Sequence, residues 1–235
     1  MKKKNKILIT GASSGIGKAI AKNLLEEGHL VIGLSRTCSI KHKNYIHYTK
    51  DISNIPKLIS CLDKIIKDHK NISAVVSNAG AGKFEFLDNV SEKQIIEFIN
   101  LNLLSHIILT KKVLPLFKKK KKGYIIFMGS EASTEGGKKA TLYSSAKHGL
   151  MGFAKSLKAE CNRAGIRVTI INPGMVRGKF FDNLDFAPGE DRENAIQNKD
   201  IADLVSFLIK TNKNINYFDI NLSPLKKVIK FKKKN

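Results

Sequence analysis

Residues 6–17 read Lys6-Ile7-Leu8-Ile9-Thr10-Gly11-Ala12-Ser13-Ser14-Gly15-Ile16-Gly17. An apolar, β-branched run passes directly into a glycine-rich turn. Beyond the turn, Ile16, Ala19, Ile20 and Leu24 recur at helical spacing until Gly28 stops the pattern. The stretch therefore predicts a buried strand at Lys6–Thr10, a tight turn, and a helix over Gly15–Glu27. Gly11 permits the turn, because it has no Cβ to forbid a left-handed backbone.

The same order repeats outward from this unit. Apolar runs at Leu30–Leu34, Tyr45–Tyr48, Ala74–Val76, Tyr124–Met128, Ile166–Ile171 and Tyr217–Ile220 read as strands. Between them, Pro56–Asp68, Ser91–Lys112, Leu142–Asn162 and Asp200–Lys210 read as helices, with Ser91 and Gln94 in a capping-box arrangement. The strands are continuously apolar rather than alternating, so both faces of their sheet should be covered. The expected fold is α/β: a doubly wound, mostly parallel sheet with helices on both faces, in a single domain spanning 1–235. Gly178–Asn198 lacks a clear period, and residues 176–198 are expected to form a substrate loop. Residues 226–235 form a basic C-terminal tail.

Composition narrows the function. The formal net charge of +22 suggests an anionic partner, but only five of the 42 basic residues are arginine. Arginine is the better reader of phosphates and bases, because its planar fork bonds in pairs. The lysines are spread along the chain, with runs at Lys2–Lys4, Lys118–Lys122 and Lys232–Lys234. They read as a solvated surface, and no specific nucleic acid partner is expected. Cys38, Cys61 and Cys161 are odd in number and lack CxxC spacing, which suits free thiols in a reducing cytoplasm. No apolar stretch approaches the ~20 residues of a membrane helix. The N-terminal apolar run is too short for a signal-peptide core. No metal site is expected from the histidine and cysteine positions. His106 and His148 read as packing or interface residues.

A strand–glycine turn–helix unit is built to hold a dinucleotide. Gly15 lets the backbone approach a pyrophosphate, Gly17 lets the helix pack on the strand, and Ser13, Ser14 and Ile16 complete the loop. The helix N-terminus offers free N–H groups to the phosphates. At the end of the second strand, Gly33-Leu34-Ser35-Arg36 carries no carboxylate for a ribose 2′-hydroxyl. Arg36 could instead pair with a 2′-phosphate. The expected cofactor is NADP(H), with NAD(H) possible.

Tyr143 and Lys147 lie four residues apart on a predicted helix and so share a face. A lysine cation beside a tyrosine should lower its pKa from near 10 toward a useful range for acid/base work. Ser130 closes the fifth strand at Gly129-Ser130. Asn78-Ala79-Gly80 closes the fourth strand at the same edge of the sheet, and Asn102 lies on the long helix between them.

These motifs, in this order, resemble the short-chain dehydrogenase/reductase family in its classical single-domain form. The likeness covers nearly the whole chain: the TGxxxGxG loop at Thr10–Gly17, Asn78-Ala79-Gly80, Asn102, Ser130, the YxxxK pair Tyr143 and Lys147, and the turn Pro173-Gly174. The resemblance implies that Tyr143 is the acid/base and that Lys147 binds the nicotinamide ribose. Ser130 would polarise a carbonyl, and Asn102 would hold a water in the proton relay. Asp51 and Ile52 would contact the adenine, Asn78, Ala79 and Gly80 the ribose, and Pro173, Gly174 and Val176 the remainder of the cofactor. The implied reaction is hydride transfer between a nicotinamide and a small-molecule carbonyl or alcohol, in a homodimer or homotetramer. The alternative is a non-catalytic dinucleotide-binding sensor or scaffold.

One departure stands out. The family often places a threonine four residues after the glycine of the Pro-Gly turn. Here Gly174 is followed by Met175-Val176-Arg177-Gly178. Arg177 next to it is a candidate for an anionic substrate group, or a plain surface arginine. Phe180, Phe181, Leu184 and Phe186 suggest an apolar lid.

Overall fold

The computed structural model describes residues 4–232. Lys2 and Lys3, and residues 233–235 of the basic tail, lie outside the described residues. The main sheet contains β1 (Lys6–Thr10), β2 (Leu30–Ser35), β3 (Tyr45–Thr49), β4 (Ala74–Ser77), β5 (Gly123–Met128), β6 (Ile166–Pro173) and β8 (Asp219–Leu222). Their order is β3-β2-β1-β4-β5-β6-β8, and every pairing is parallel. The chain reverses direction across the sheet between β1 and β4. In open parallel sheets a ligand crevice forms at that switch, beyond the carboxyl ends of the strands.

Strand alternation divides the core. Leu8, Ile32, Val75 and Ile125 face one side, packed by α2 (Ile55–Asp68), α4 (Ser105–Lys120) and α5 (Thr141–Cys161). Ile7, Ile9, Val31 and Val76 face the other, packed by α1 (Gly15–Glu26) and α6 (Asn198–Lys210). This two-sided burial is why the strands read as unbroken apolar runs.

Three elements depart from the sequence reading. The helix expected over Ser91–Lys112 has three parts: α3 (Glu92–Ile99), a π-helical turn over Asn100–Leu104, and α4. It continues through Pro115 to Lys120, beyond the end that proline suggests. Burial of Val113 and Phe117 on the core face favours continuation despite the missing N–H. The last sheet strand lies at Asp219–Leu222, two residues later than expected at each end.

The third departure is the most consequential. Within the irregular stretch, β7 (Phe186–Pro188) pairs antiparallel with β9 (Ile229–Phe231) from the basic C-terminal segment, with Phe186 opposite Phe231. Ion pairs join the same two segments: Lys226–Glu193 at 2.6 Å and Lys230–Glu190 at 2.8 Å. Residues 226–232 are therefore a strap across the loop rather than a free tail. Among the described residues, no helix is long and apolar enough to cross a membrane.

Candidate active site

The glycine turn is held by contacts that only glycine permits. Gly11 and Gly15 have φ of +70° and +49°, the left-handed region. A Cβ on Gly17 would lie 2.3 Å from the Gly11 carbonyl oxygen and 2.5 Å from Asn78 Nδ2. The backbone oxygen cannot swing away as a flexible side chain could. Gly17→Ala is therefore expected to cost about 1–3 kcal/mol of stability. Thermal unfolding checks this, and an unchanged Tm would contradict it.

Thr10 joins the two strands that flank the switch point. Its Oγ1 accepts from the backbone N–H of Asn78 at 3.0 Å and of Ala79 at 3.1 Å. Asn78 Nδ2 returns a bond to the Thr10 carbonyl at 3.0 Å. The sequence reading placed Thr10 in the motif but assigned it no contact. A hydroxyl at the end of the first strand, opposite an Asn-Ala-Gly turn, was the available signal.

The rest of the expected cofactor set lies around this turn. Ser14 and Gly15 are exposed, and Ser39 Oγ donates to the Ser13 carbonyl at 2.6 Å. Arg36 is exposed at the end of β2. Asp51 accepts from Ser53 Oγ at 2.7 Å and Ser53 N at 2.9 Å. These bonds, with help from the nearby Arg36 charge, hold its carboxyl below the usual carboxylate range. Ile52 is buried beneath. Pro173 ends β6, Gly174 N donates to the Leu222 carbonyl at 2.7 Å, and Val176 forms a bridge to Ile196.

Ser130, Tyr143 and Lys147 converge at the end of β5. Ser130 Oγ caps a single 3₁₀ turn by accepting from Ala132 N at 3.2 Å, and it also hydrogen-bonds Tyr143. Tyr143 is 7% exposed. Its ring is packed by Phe84 at 5.1 Å, Phe180 at 6.1 Å and Phe98 at 6.4 Å between centroids. Lys147 Nζ lies 5.7 Å from the Tyr143 centroid and donates to the Met128 carbonyl at 3.0 Å. Phe84 was not foreseen. It lies in an irregular segment after β4, where no period marks it.

The tyrosine's acidity differs from expectation. Burial pushes the Tyr143 phenol up to about 12; the Ser130 hydrogen bond opposes this, and the Glu131 charge reinforces it. Lys147 was expected to lower that value. Instead burial brings the lysine itself down to about 8. Desolvation outweighs mutual stabilisation, because the ammonium bonds Met128 and sits over the ring rather than at the hydroxyl.

Asn102 is fully buried in the π-helical turn. Its Oδ1 accepts from Ala81 N at 3.0 Å, and its Nδ2 donates to the Phe98 carbonyl at 3.1 Å. It thereby holds the chain just after Asn78-Ala79-Gly80. A Cβ on Gly80 would be 2.9 Å from Asn102 Oδ1 and 3.9 Å from Lys147 Nζ, so these three residues adjoin. His106 bonds Ser77 Oγ at 2.6 Å through Nδ1, and burial brings its pKa down to about 3. It is a neutral packing residue. His148 Nδ1 meets the Ser144 carbonyl at 2.9 Å, one turn back on its own helix.

The irregular stretch brings its aromatics over the site. Phe180 meets Tyr143, Phe186 meets Phe84 at 4.9 Å, and Phe181 lies between Phe180 and Phe186 at 5.2 and 5.8 Å. Lys227, from the C-terminal strap, pairs with Glu131 at 2.9 Å, next to Ser130. Arg177 Nη2 donates to the Asp191 carbonyl at 2.7 Å, within its own loop. Among the described residues, no group of three or more His, Cys, Asp or Glu side chains could hold a metal ion.

The sheet order, the glycine turn and this cluster define a dinucleotide-type α/β fold, and comparison with known proteins places it. A model of the short chain dehydrogenase family matches residues 5–186. The chain belongs to the short-chain dehydrogenase/reductase family, and so is an NAD(P)-dependent oxidoreductase. It is 35% identical over 213 residues to a 3-oxoacyl-acyl-carrier-protein reductase of Buchnera aphidicola from Acyrthosiphon pisum, covering 85% of this chain and 87% of that protein. It is 32% identical over 202 residues to the 3-ketodihydrosphingosine reductase of Bacteroides thetaiotaomicron, covering 86% and 72%. The alcohol dehydrogenase of the archaeon Thermococcus sibiricus, solved with 5-hydroxy-NADP, superposes with a TM-score of 0.83 at 25% identity, covering 94% of this chain and 96% of that one.

Proposed function

We propose that this chain is an NADP(H)-dependent oxidoreductase that interconverts a carbonyl and an alcohol, with Tyr143 as the acid/base. The observation that carries the reading is the convergence of Ser130, Tyr143 and Lys147 at the end of β5, beside the glycine turn. A non-catalytic sensor would not need all three side chains in contact there.

The residues around the switch point fit a dinucleotide. Among the described residues, apart from the turn's own adjoining backbone, one atom lies within 4 Å of a Cβ on Gly15, Asn198 Oδ1 at 3.9 Å, so the turn has room for phosphates. No side chain caps α1, and its first-turn N–H groups suit those phosphates. Asn78, Ala79 and Gly80 adjoin the ribose position, and Asp51 and Ile52 the adenine. Pro173, Gly174 and Val176 flank the nicotinamide. When bound, the nicotinamide gives or takes the hydride.

The protein's part is the proton. A phenol held near 12 is protonated at neutral pH, so Tyr143 is set to donate to a carbonyl oxygen, the reductive direction. Ser130 Oγ fixes that oxygen by a second hydrogen bond. Lys147 supplies charge beside the ring, and Asn102 holds the backbone that frames a water route to the lysine. Residues 176–198, with Phe84 and Phe98, form the substrate wall. Three phenylalanines around the tyrosine, with Phe186 stacked behind Phe84, favour a carbonyl with an apolar flank. The two relatives named as reductases of 3-oxoacyl and 3-keto compounds suggest the same class. NADPH oxidation against a panel of 3-oxo compounds, ketones, aldehydes and sugars tests the reading. No turnover on any carbonyl would defeat it.

Arg36 carries the preference for NADP(H). A charge-assisted bond to a 2′-phosphate is worth about 1.5–3 kcal/mol. Arg36→Ala should therefore raise the KM for NADPH roughly 10- to 100-fold and leave that for NADH nearly unchanged. Wild-type protein that binds NADH as tightly as NADPH would refute the assignment. We also place the protein in the cytoplasm, where Cys38, Cys61 and Cys161 would stay reduced. We expect a homo-oligomer formed through the α4 and α5 surface, where Leu114, Pro115 and Phe153 line an open groove.

A further inference from the structure

Position 178 holds glycine where a threonine would reach toward the nicotinamide. The backbone accounts for the glycine: φ is +155°, a conformation that side chains rarely adopt. The missing polar group has a neighbour. Asn198, in the first turn of α6, places its Nδ2 3.5 Å from where a Cβ on Gly178 would stand. The same carboxamide puts its Oδ1 3.9 Å from the Cβ position of Gly15, in the glycine turn. One side chain thus spans from the base of the substrate loop to the phosphate cradle. Its orientation is fixed, because Nδ2 donates to the Arg177 carbonyl at 3.0 Å. An amide nitrogen has a second hydrogen, and Oδ1 is an acceptor, so the side chain keeps hydrogen-bonding capacity beyond its bond to Arg177.

We propose that Asn198 is a cofactor-positioning residue. It supplies, from α6, the polar contact that position 178 cannot carry, and it holds the nicotinamide mononucleotide half of the dinucleotide while anchoring the loop at Arg177. The inference rests on the dinucleotide reading above but is separable from it. Asn198 stands by Gly15 and Gly178, whereas Arg36 follows the end of β2. Asn198 should matter for the nicotinamide half and not for the adenosine half.

The test measures binding rather than turnover. NADPH affinity is read from the ligand's own fluorescence, and 2′,5′-ADP, which lacks the nicotinamide half, is read by competition or calorimetry. Asn198→Ala is expected to weaken NADPH about five-fold, the loss of one neutral hydrogen bond, and to leave 2′,5′-ADP unchanged. Asn198→Asp keeps the shape and suits a helix start, but like alanine it loses the bond to the Arg177 carbonyl, so its Tm is compared with that of Asn198→Ala rather than with wild type. It should weaken NADPH further than alanine does, because a carboxylate would face the phosphates. NADPH affinity in Asn198→Ala within two-fold of wild type would overturn the proposal. An equal loss for 2′,5′-ADP would also overturn it, by showing a general disturbance. If wild type bound neither ligand, the dinucleotide reading itself would fall, and this inference with it.

Discussion

Tyr143→Phe is expected to lower turnover by about 10²- to 10⁴-fold, the usual worth of a positioned acid/base. The substitution removes one oxygen and little else. The phenyl ring retains its packing against Phe84, Phe98 and Phe180, so fold and NADPH affinity should stay near wild type. Ser130 keeps its bond from Ala132. The alkaline behaviour should change in a definite sense. The folded phenol is raised from 10 to about 12, so its stabilising contribution is complete below pH 10 and is lost as pH rises toward 12. Tyr143→Phe should lack that part of the decline in Tm. Steady-state rates and pH-dependent unfolding give both readouts. Turnover within three-fold of wild type would remove Tyr143 from the chemistry.

Lys147→Met should be nearly as damaging to turnover, yet it should raise Tm at pH 7. Burial lowers the lysine from 10.5 to about 8, so folding disfavours its charged form. Above pH 10.5 that penalty is absent. It grows as pH falls toward 8 and is complete below. Relief from it is worth on the order of 3 kcal/mol, offset by about 1–2 kcal/mol for the Met128 carbonyl left unpaired. The net gain should appear at pH 7 and shrink by pH 10. A variant less stable than wild type at pH 7 would show that the ammonium is better solvated than its burial implies. The pair of results would also separate function from fold: Lys147 is retained at a cost in stability that only the site explains.

Much of the fold was legible because its signals are local. The glycine turn, the apolar strands and the periodic helices are each set by a few adjacent residues, and so are the turns after β4 and β5 that carry Asn78 and Ser130 and the i, i+4 pair Tyr143 and Lys147 on α5. What escaped was non-local. β9 reads as a lysine-rich tail until it meets β7, more than forty residues earlier in the chain. Phe84 and Asn198 have no motif around them, and they matter only because the crevice brings Tyr143, Gly15 and Gly178 to them. The tyrosine's acidity was misjudged because charge proximity can be inferred from spacing, whereas desolvation depends on everything packed around the group. The π-helical turn was invisible for a related reason: its sequence is ordinary helix sequence.

That turn has an evolutionary consequence. A π turn accommodates an extra residue within an otherwise α-helical rod. Removing one residue from Asn100–Leu104 would therefore let the rod revert to regular α geometry. Because the wide turn takes up that residue within one circuit of the axis, the remainder of α4 would keep nearly the same face toward the sheet. Leu109, Val113 and Phe117 could stay in the core, whereas the turn that aims Asn102 at Ala81 would be lost. The extra residue thus serves the asparagine rather than the core. A descendant that loses it would be expected to keep its packing and give up the hold on Ala81.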